Sequence, residues 1–412
     1  MPRTLAAVPR AMVVLSCIVA LALTGCLSST PTPEPVTISY AHADYDTDYL
    51  QRLVSEFNES YPYIHVELRP RRWDTLGGLS AGDADVFVTS QFALSELSEQ
   101  GNVLDLTPFI EQDGVFDQED FYPGTVGLYM KAGKMWAIPA NVDLMVMYYN
   151  QDLLDQVGAP YPKVGWTWDD FLTTATLARD QDAGTFGYIT TVPTFDALTF
   201  IYQHGGRIFD DLENPSQTTF DDPLTIEALQ WYADLYYRYD VAPTEMQVRQ
   251  SFSRRDSRVG IWLGRVGMWS GMLSEQGGQA GPTPWEMRWG VAPLPRDQQS
   301  TTLTLVEGYF ISAQTQHPDA CWQWISFLSR QMPQRQAPVR KSLAESTDYE
   351  ELVGPEIAAV VQASMNNALL LSPELASYEN ALETFTQAFT TVMEGTSTPE
   401  EAMTWAQRQA GP

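Results

Sequence analysis

Cysteine is scarce in this chain: three in 412 residues, at positions 17, 26 and 321, too few and too scattered for a disulfide framework. Basic residues are scarce as well. Against 52 Asp and Glu there are 24 Lys and Arg, a formal net charge of −28. That balance repels phosphate backbones and anionic headgroups, which excludes nucleic acid as a partner and charge-driven membrane binding. The longest apolar run, Ala11 to Leu23, is shorter than a spanning helix requires. Also missing are a P-loop, a G-x-G-x-x-G turn, H-E-x-x-H and C-x-x-C. The four histidines, His42, His65, His204 and His317, show no ligand spacing, so neither metal nor cofactor is expected. Gly78-Leu79-Ser80-Ala81-Gly82 matches G-x-S-x-G only in its letters. A nucleophile elbow needs a strand before it and a helix after it; here the strand Asp85 to Thr89 follows, so a flexible turn is the better reading. Asp44, Asp46 and Asp48 open like a calcium loop, but Tyr49 and Ser55 stand where glycine and glutamate are needed. Paired carboxylates for glycoside hydrolysis stay open, because sequence fixes no distances.

What is present begins at the amino terminus. Arg3 and Arg10 precede the apolar run, and Leu23-Thr24-Gly25-Cys26 follows it. A basic n-region, an apolar h-region and small residues before a cleavage point read as a secretory signal over residues 1–25. Leu-Thr-Gly-Cys resembles the lipobox of bacterial lipoproteins, in which the cysteine becomes acylated, so Cys26 is the expected lipidation site. Residues 26–36 then form a Ser/Thr/Pro-rich tether, an extended spacer of about 25 to 30 Å. Two acyl chains make such an anchor stable. Cleavage removes two arginines and no acid, leaving the mature chain more acidic still. Only Cys321 would remain as a thiol, in a helical run where a buried, inert side chain is expected.

The mature chain, 44% hydrophobic, can bury a sizeable core. Val36 to Tyr40 alternates like a strand, Leu50, Leu53, Val54 and Phe57 keep helical spacing, and Ile64, Val66 and Leu68 alternate again: a βαβ unit with parallel strands. Asp85 to Thr89 and the apolar Asp143 to Asn150 predict further strands. Thr167 and Asp170 have capping-box spacing before a helix, and Trp166 and Trp168 read as packing around its start. Gly187 to Thr191 predicts a strand, Leu224 to Tyr239 a long helix, and Val291 to Pro295 a short strand. From Glu307 a strand leads to a helix beginning after Pro318, and Thr398-Pro399-Glu400-Glu401 caps a terminal helix. Strands and helices alternate throughout, which means α/β architecture.

These ordered segments resemble an extracellular solute-binding protein of the ABC importers, of the large sugar-binding family that includes maltose-binding protein. The likeness covers essentially the whole mature chain. It rests on FNESYPYIHVEL, ADVFV, LDLTPFIEQDGVFDQEDFYPG, GKMWAIPANVDLMVMYYNQDLLDQVG, WTWDDFL, GRVGMWSG, WGVAPLP and EGYFISAQTQHPDACWQWISFLS. The resemblance implies two α/β lobes of the periplasmic-binding-protein fold, joined by crossing hinge strands with a ligand cleft between them. By that analogy the strands cross near Asn141 to Val146 and near Leu303 to Glu307. Lobe one would be residues 37–142 plus 307–355, and lobe two 146–303 plus 356–412. A monomer is expected, with a carbohydrate ligand, a membrane permease and a separate ATPase as partners, and no catalytic residue.

A neutral sugar needs planar aromatics for stacking and carboxylates or amides for paired hydrogen bonds. Ligands of open α/β lobes sit outside the carboxyl ends of strands. Loop position then points to Tyr40, His42, Asp44 and Tyr45 after the first strand, to Gln91, and to Phe195. The resemblance adds Asn141 and Asp143 at the first crossing, Trp269, Ser270 and Gly271 on lobe two, Glu307 and Tyr309 at the second crossing, and Arg340 as the basic contributor. Trp269 leads this set, and Trp73 is a weaker pocket wall. The rivals are the same fold taking a polyamine, peptide or other cationic solute, a secreted hydrolase, and a lipoprotein serving adhesion or signalling.

Overall fold

The computed structural model describes residues 34–43, 47–71, 84–252, 256–278 and 284–410. The signal, Cys26, the tether up to residue 33, Asp44, Tyr45, Trp73 and Gly78 to Gly82 lie outside the described residues, and Val36, expected at the end of the tether, opens the first strand.

The expected βαβ start is present. β1 (Val36–Ala43) and β2 (Ile64–Arg71) pair in parallel, Val36 opposite Ile64, across the helix Thr47–Ser60. That helix buries Leu50, Leu53 and Phe57, which fall on one face at 3.6 residues per turn. β3 (Val86–Ser90) joins the other side of β1 in parallel. A two-rung hairpin of β4 (Met130–Lys131) and β5 (Lys134–Met135) turns through Ala132 and Gly133, both at positive φ.

β6 (Ile138–Asn150) is thirteen residues long. After it come β7 (Phe186–Thr190), β8 (Val266–Met272), β9 (Trp289–Ala292), β10 (Thr302–Ile311), β11 (Ala337–Pro338) and β12 (Ala368–Leu370). Across the sheet the order is β2-β1-β3-β10-β6-β8-β7. β6 changes partner part-way: Asn141 to Leu144 pair antiparallel with β10, then Met145 to Tyr149 pair antiparallel with β8. β11 and β9 flank its two halves on the remaining edge.

Two hydrophobic clusters share this sheet. The first draws on β1, β3, Val306 to Ile311 of β10, and the helices Pro318–Leu328 and Pro355–Met365. The second draws on Leu303, the helices between Trp168 and Tyr237, and the C-terminal helices Glu379–Met393 and Pro399–Ala410. β6 serves both. Val142, Leu144, Val146 and Tyr148 belong to the first cluster, while Met145, Met147 and Tyr149 belong to the second. From Leu144 to Tyr149 every residue of the strand is buried, which is why that stretch reads as an unbroken apolar run, while Asn141 and Asp143 before it are half-buried and polar.

Local signals behave as chemistry requires. Thr167 and Asp170 exchange both capping-box bonds at the start of Trp168–Ala178, and Trp166 and Trp168 are buried beside it. Thr398 and Glu401 do the same before Pro399–Ala410. Cys321 is buried, and burial pushes its thiol up to about 12. At Gly187 a Cβ would lie 2.0 Å from the carbonyl oxygen of Ala175, so glycine there lets the helix Trp168–Ala178 sit directly on β7.

Candidate functional site at the strand junction

Adjacent strands set the geometry where the two clusters meet. Asn141 lies opposite Glu307 and Asp143 opposite Leu305, so Asn141, Asp143 and Glu307 share one face of β6 and β10. The amides of Asn141 and Gln336 both donate to Glu307 Oε2, at 3.4 and 3.0 Å. Asp143 accepts the Ser274 N–H at 3.0 Å and the Ser274 hydroxyl at 2.6 Å. Glu275, on the turn after β8, accepts from the Thr191 hydroxyl at 3.0 Å.

Burial pushes Asp143 up to about 7, against the Ser274 hydrogen bonds and with repulsion from Glu307 and Glu275 adding to it. Glu307 and Glu275 are likewise raised, chiefly by burial. Arg258 attracts Glu275, though its guanidinium is engaged by Asp256. Tyr40, His42, Tyr49, Tyr309, Asn141, Glu307 and Gln336 line one recess. Tyr40 meets Tyr309 edge-on at 6.5 Å and stacks on His42 at 5.8 Å. From the opposite side Gln276 donates to the Arg335 carbonyl at 3.0 Å. Carboxylates, amides and aromatic edges together can exchange hydrogen bonds with hydroxyl groups and cover apolar ring faces.

Of the residues expected from sequence, Tyr40, His42, Asn141, Glu307 and Tyr309 come together in this recess, with Asp143 on the same sheet face as Asn141 and Glu307. Phe195 does not join them; it is half-buried in the helix Pro193–His204, against the second cluster.

Four expectations need correction. Trp269 is 0% exposed, stacked on Tyr148 at 5.8 Å and met edge-on by Trp285 at 4.8 Å, because its side of β8 is covered by the chain that follows the strand. Ser270 points to the other face, where its hydroxyl meets Tyr188 Oη at 2.8 Å inside the second cluster. Gln91 is 0% exposed and spends its amide on the backbone of Val306 and Leu371. Arg340 is buried: its guanidinium donates to the Ser329 carbonyl at 2.8 Å and to Asp120 at 3.2 Å, and lies over Phe121 at 4.2 Å. Gly271 acts through its missing side chain, since a Cβ would lie 2.8 Å from Glu275 Oε2. Sequence reasoning missed Ser274, Glu275 and Gln336. The resemblance pointed as far as Gly271, and Glu275 is only four residues further on.

A larger hollow, about 410 Å³, lies elsewhere, at Trp168, His204, Trp231, Arg296 and Asp297. Its groups are used internally: Trp231 and His204 stack on Trp168, and Asp297 and Glu227 contact the His204 ring.

The sequence profile of bacterial extracellular solute-binding proteins matches residues 43–334. The chain belongs to that family. This solute-binding protein is 33% identical over 207 residues to an arabinooligosaccharide-binding protein of Halalkalibacterium halodurans, covering 49% of this chain and 43% of the relative. It spans about half the length of the curated relatives it matches. Among solved structures it resembles an ABC substrate-binding protein of Listeria monocytogenes in complex with cycloalternan, with a TM-score of 0.77, 21% identity, and 92% and 98% of the two chains covered. It also resembles maltose-bound MalE3 of T. maritima, with a TM-score of 0.70, 21% identity, and 91% and 98% covered. The solute-binding protein therefore has the two-lobed fold that its sequence led one to expect, with β6 and β10 shared between the lobes.

Proposed function

We propose that this chain is the substrate-binding component of an ABC importer, capturing a mono- or oligosaccharide between its lobes and delivering it to a membrane permease. The observation that carries this reading is the set of Asn141, Asp143 and Glu307 on the two shared strands, faced by Glu275 from the second lobe. Those groups accept and donate to hydroxyls, and they straddle the junction where a ligand touching both lobes favours one relative position. The arabinooligosaccharide-binding relatives and the sugar-bound structures support the same class.

Calorimetry with arabinotriose and maltotriose tests the proposal. Binding of either, with the sugar recovered intact and Asn141→Ala weakening it about tenfold or more, is the expected result. Spermidine and glycerol 3-phosphate are the controls. The three acids favour a cationic solute as the second reading; tight binding of spermidine with none of either sugar would establish it instead.

The lobe boundaries belong to the same proposal. Residues 37–142 and 307–355 form lobe one and 146–303 with the C-terminal helices lobe two. A lipid anchor on Cys26 completes it: Cys26→Ala is expected to release the protein from membranes into the medium.

A further inference from the structure

β10 runs on beyond the end of its neighbour. β3 stops at Ser90, opposite Glu307, so the next rung, Val306, has no strand on that side. Two side chains take the place of the missing strand. Gln91, the residue after β3, accepts the Val306 N–H through Oε1 at 2.8 Å. Tyr129 donates its hydroxyl to the Val306 carbonyl at 2.8 Å. Gln91 also donates through Nε2 to the Leu371 carbonyl at 3.3 Å, just past β12. Tyr129 fits only because residue 308 is glycine, where a Cβ would lie 2.6 Å from the Tyr129 ring. On the other side of β10 the register with β6 shifts between Glu307 and Gly308, at Pro139, which has no N–H to offer.

We infer that Gln91 and Tyr129 are positioning residues that fix the pivot of lobe closure. They hold the shared strand where its ladder is interrupted and so set the resting angle between the lobes. The inference rests on the capture reading above. Both side chains are fully buried, so neither touches solute, and any effect on affinity must pass through the strand. Removing either bond leaves a buried backbone group unpaired, which the strand relieves only by shifting.

The test compares the intact protein with Gln91→Met and Tyr129→Phe, with Ile325→Ala as a lobe-one core control. Three quantities are measured: hydrogen exchange at the Val306 amide, the radius of gyration without sugar, and Kd for arabinotriose. The expected result is faster Val306 exchange in Gln91→Met, a changed radius of gyration in both variants, and Kd moving in the same direction in both by about two- to tenfold, the span of one hydrogen bond. Ile325→Ala should lower Tm and leave Kd unchanged. Unchanged Val306 exchange in Gln91→Met overturns the inference, as does a Kd that moves no more than in Ile325→Ala. If the wild-type protein binds neither arabinotriose nor maltotriose, the capture reading alone fails. Val306 exchange and the radius of gyration then decide the pivot by themselves.

Discussion

Asp196 is a carboxyl group with no exposure at all, in the first turn of Pro193–His204. Its Oδ2 accepts from Tyr188 at 2.5 Å and Tyr232 at 2.8 Å, while Oδ1 has no hydrogen-bond partner among the described residues. Burial pushes it up to about 6 from an ordinary 3.8, despite those bonds. The folded protein thus holds this proton more tightly than the unfolded chain does. The group's stabilising share is complete below about pH 4 and is lost as pH rises through about 6, on the order of 3 kcal/mol by pH 7. Asp196→Asn is therefore expected to raise Tm at pH 7.5 and to change it little at pH 4.5, as calorimetry at both values would show. Asp143 titrates in a different range. At about 7 it gains its charge between pH 6 and 8, and a carboxylate accepts a hydroxyl more strongly than a neutral acid does. Arabinotriose binding should tighten across that interval, and Asp143→Asn should flatten the profile. The resemblance pointed to Asp143, and β6 carries that residue to the junction. It also pointed to Trp269 and Ser270, but which face of β8 is open depends on sheet order and on what folds back over it, and neither shows in the motif.

At the scale of elements, local chemistry was the more legible part. The capping box at Thr167 and the apolar β6 needed only neighbouring residues to be read. The partner change within β6 falls between Leu144 and Met145, inside an apolar stretch that is buried throughout, so only pairing marks the place. Gly187 shows how one element constrains another. A methyl at that position would press on the Ala175 carbonyl, which belongs to the backbone of a helix and has no rotamer through which to yield. Gly187→Ala should cost about 3 kcal/mol or more in urea denaturation. Gly101→Ala has nothing within 4 Å and differs only in its positive φ, so it should cost about 1 kcal/mol. A Gly187→Ala protein as stable as the wild type would mean that the helix can slide on β7.

For the whole molecule, the acidic excess and the junction acids act together. The net charge of −28 gives the exterior a repulsive field, and Asp143, Glu275 and Glu307 continue it into the cleft. Glycerol 3-phosphate should bind at least about tenfold more weakly than the neutral trisaccharide arabinotriose, with the gap narrowing as salt screens the field. Equal binding at low salt would show that the cleft does not sense charge. The sharing of β6 and β10 has a consequence for synthesis. The first cluster is incomplete until Met365 has joined it, and the second needs residues as late as Ala406. Neither cluster can be completed by a partly made chain, so the polypeptide has little to fold around until almost all of it has emerged. For a protein whose family works outside the cell, that delay keeps the chain threadable: the crossing strands that couple the lobes also postpone folding until passage across the membrane is nearly finished.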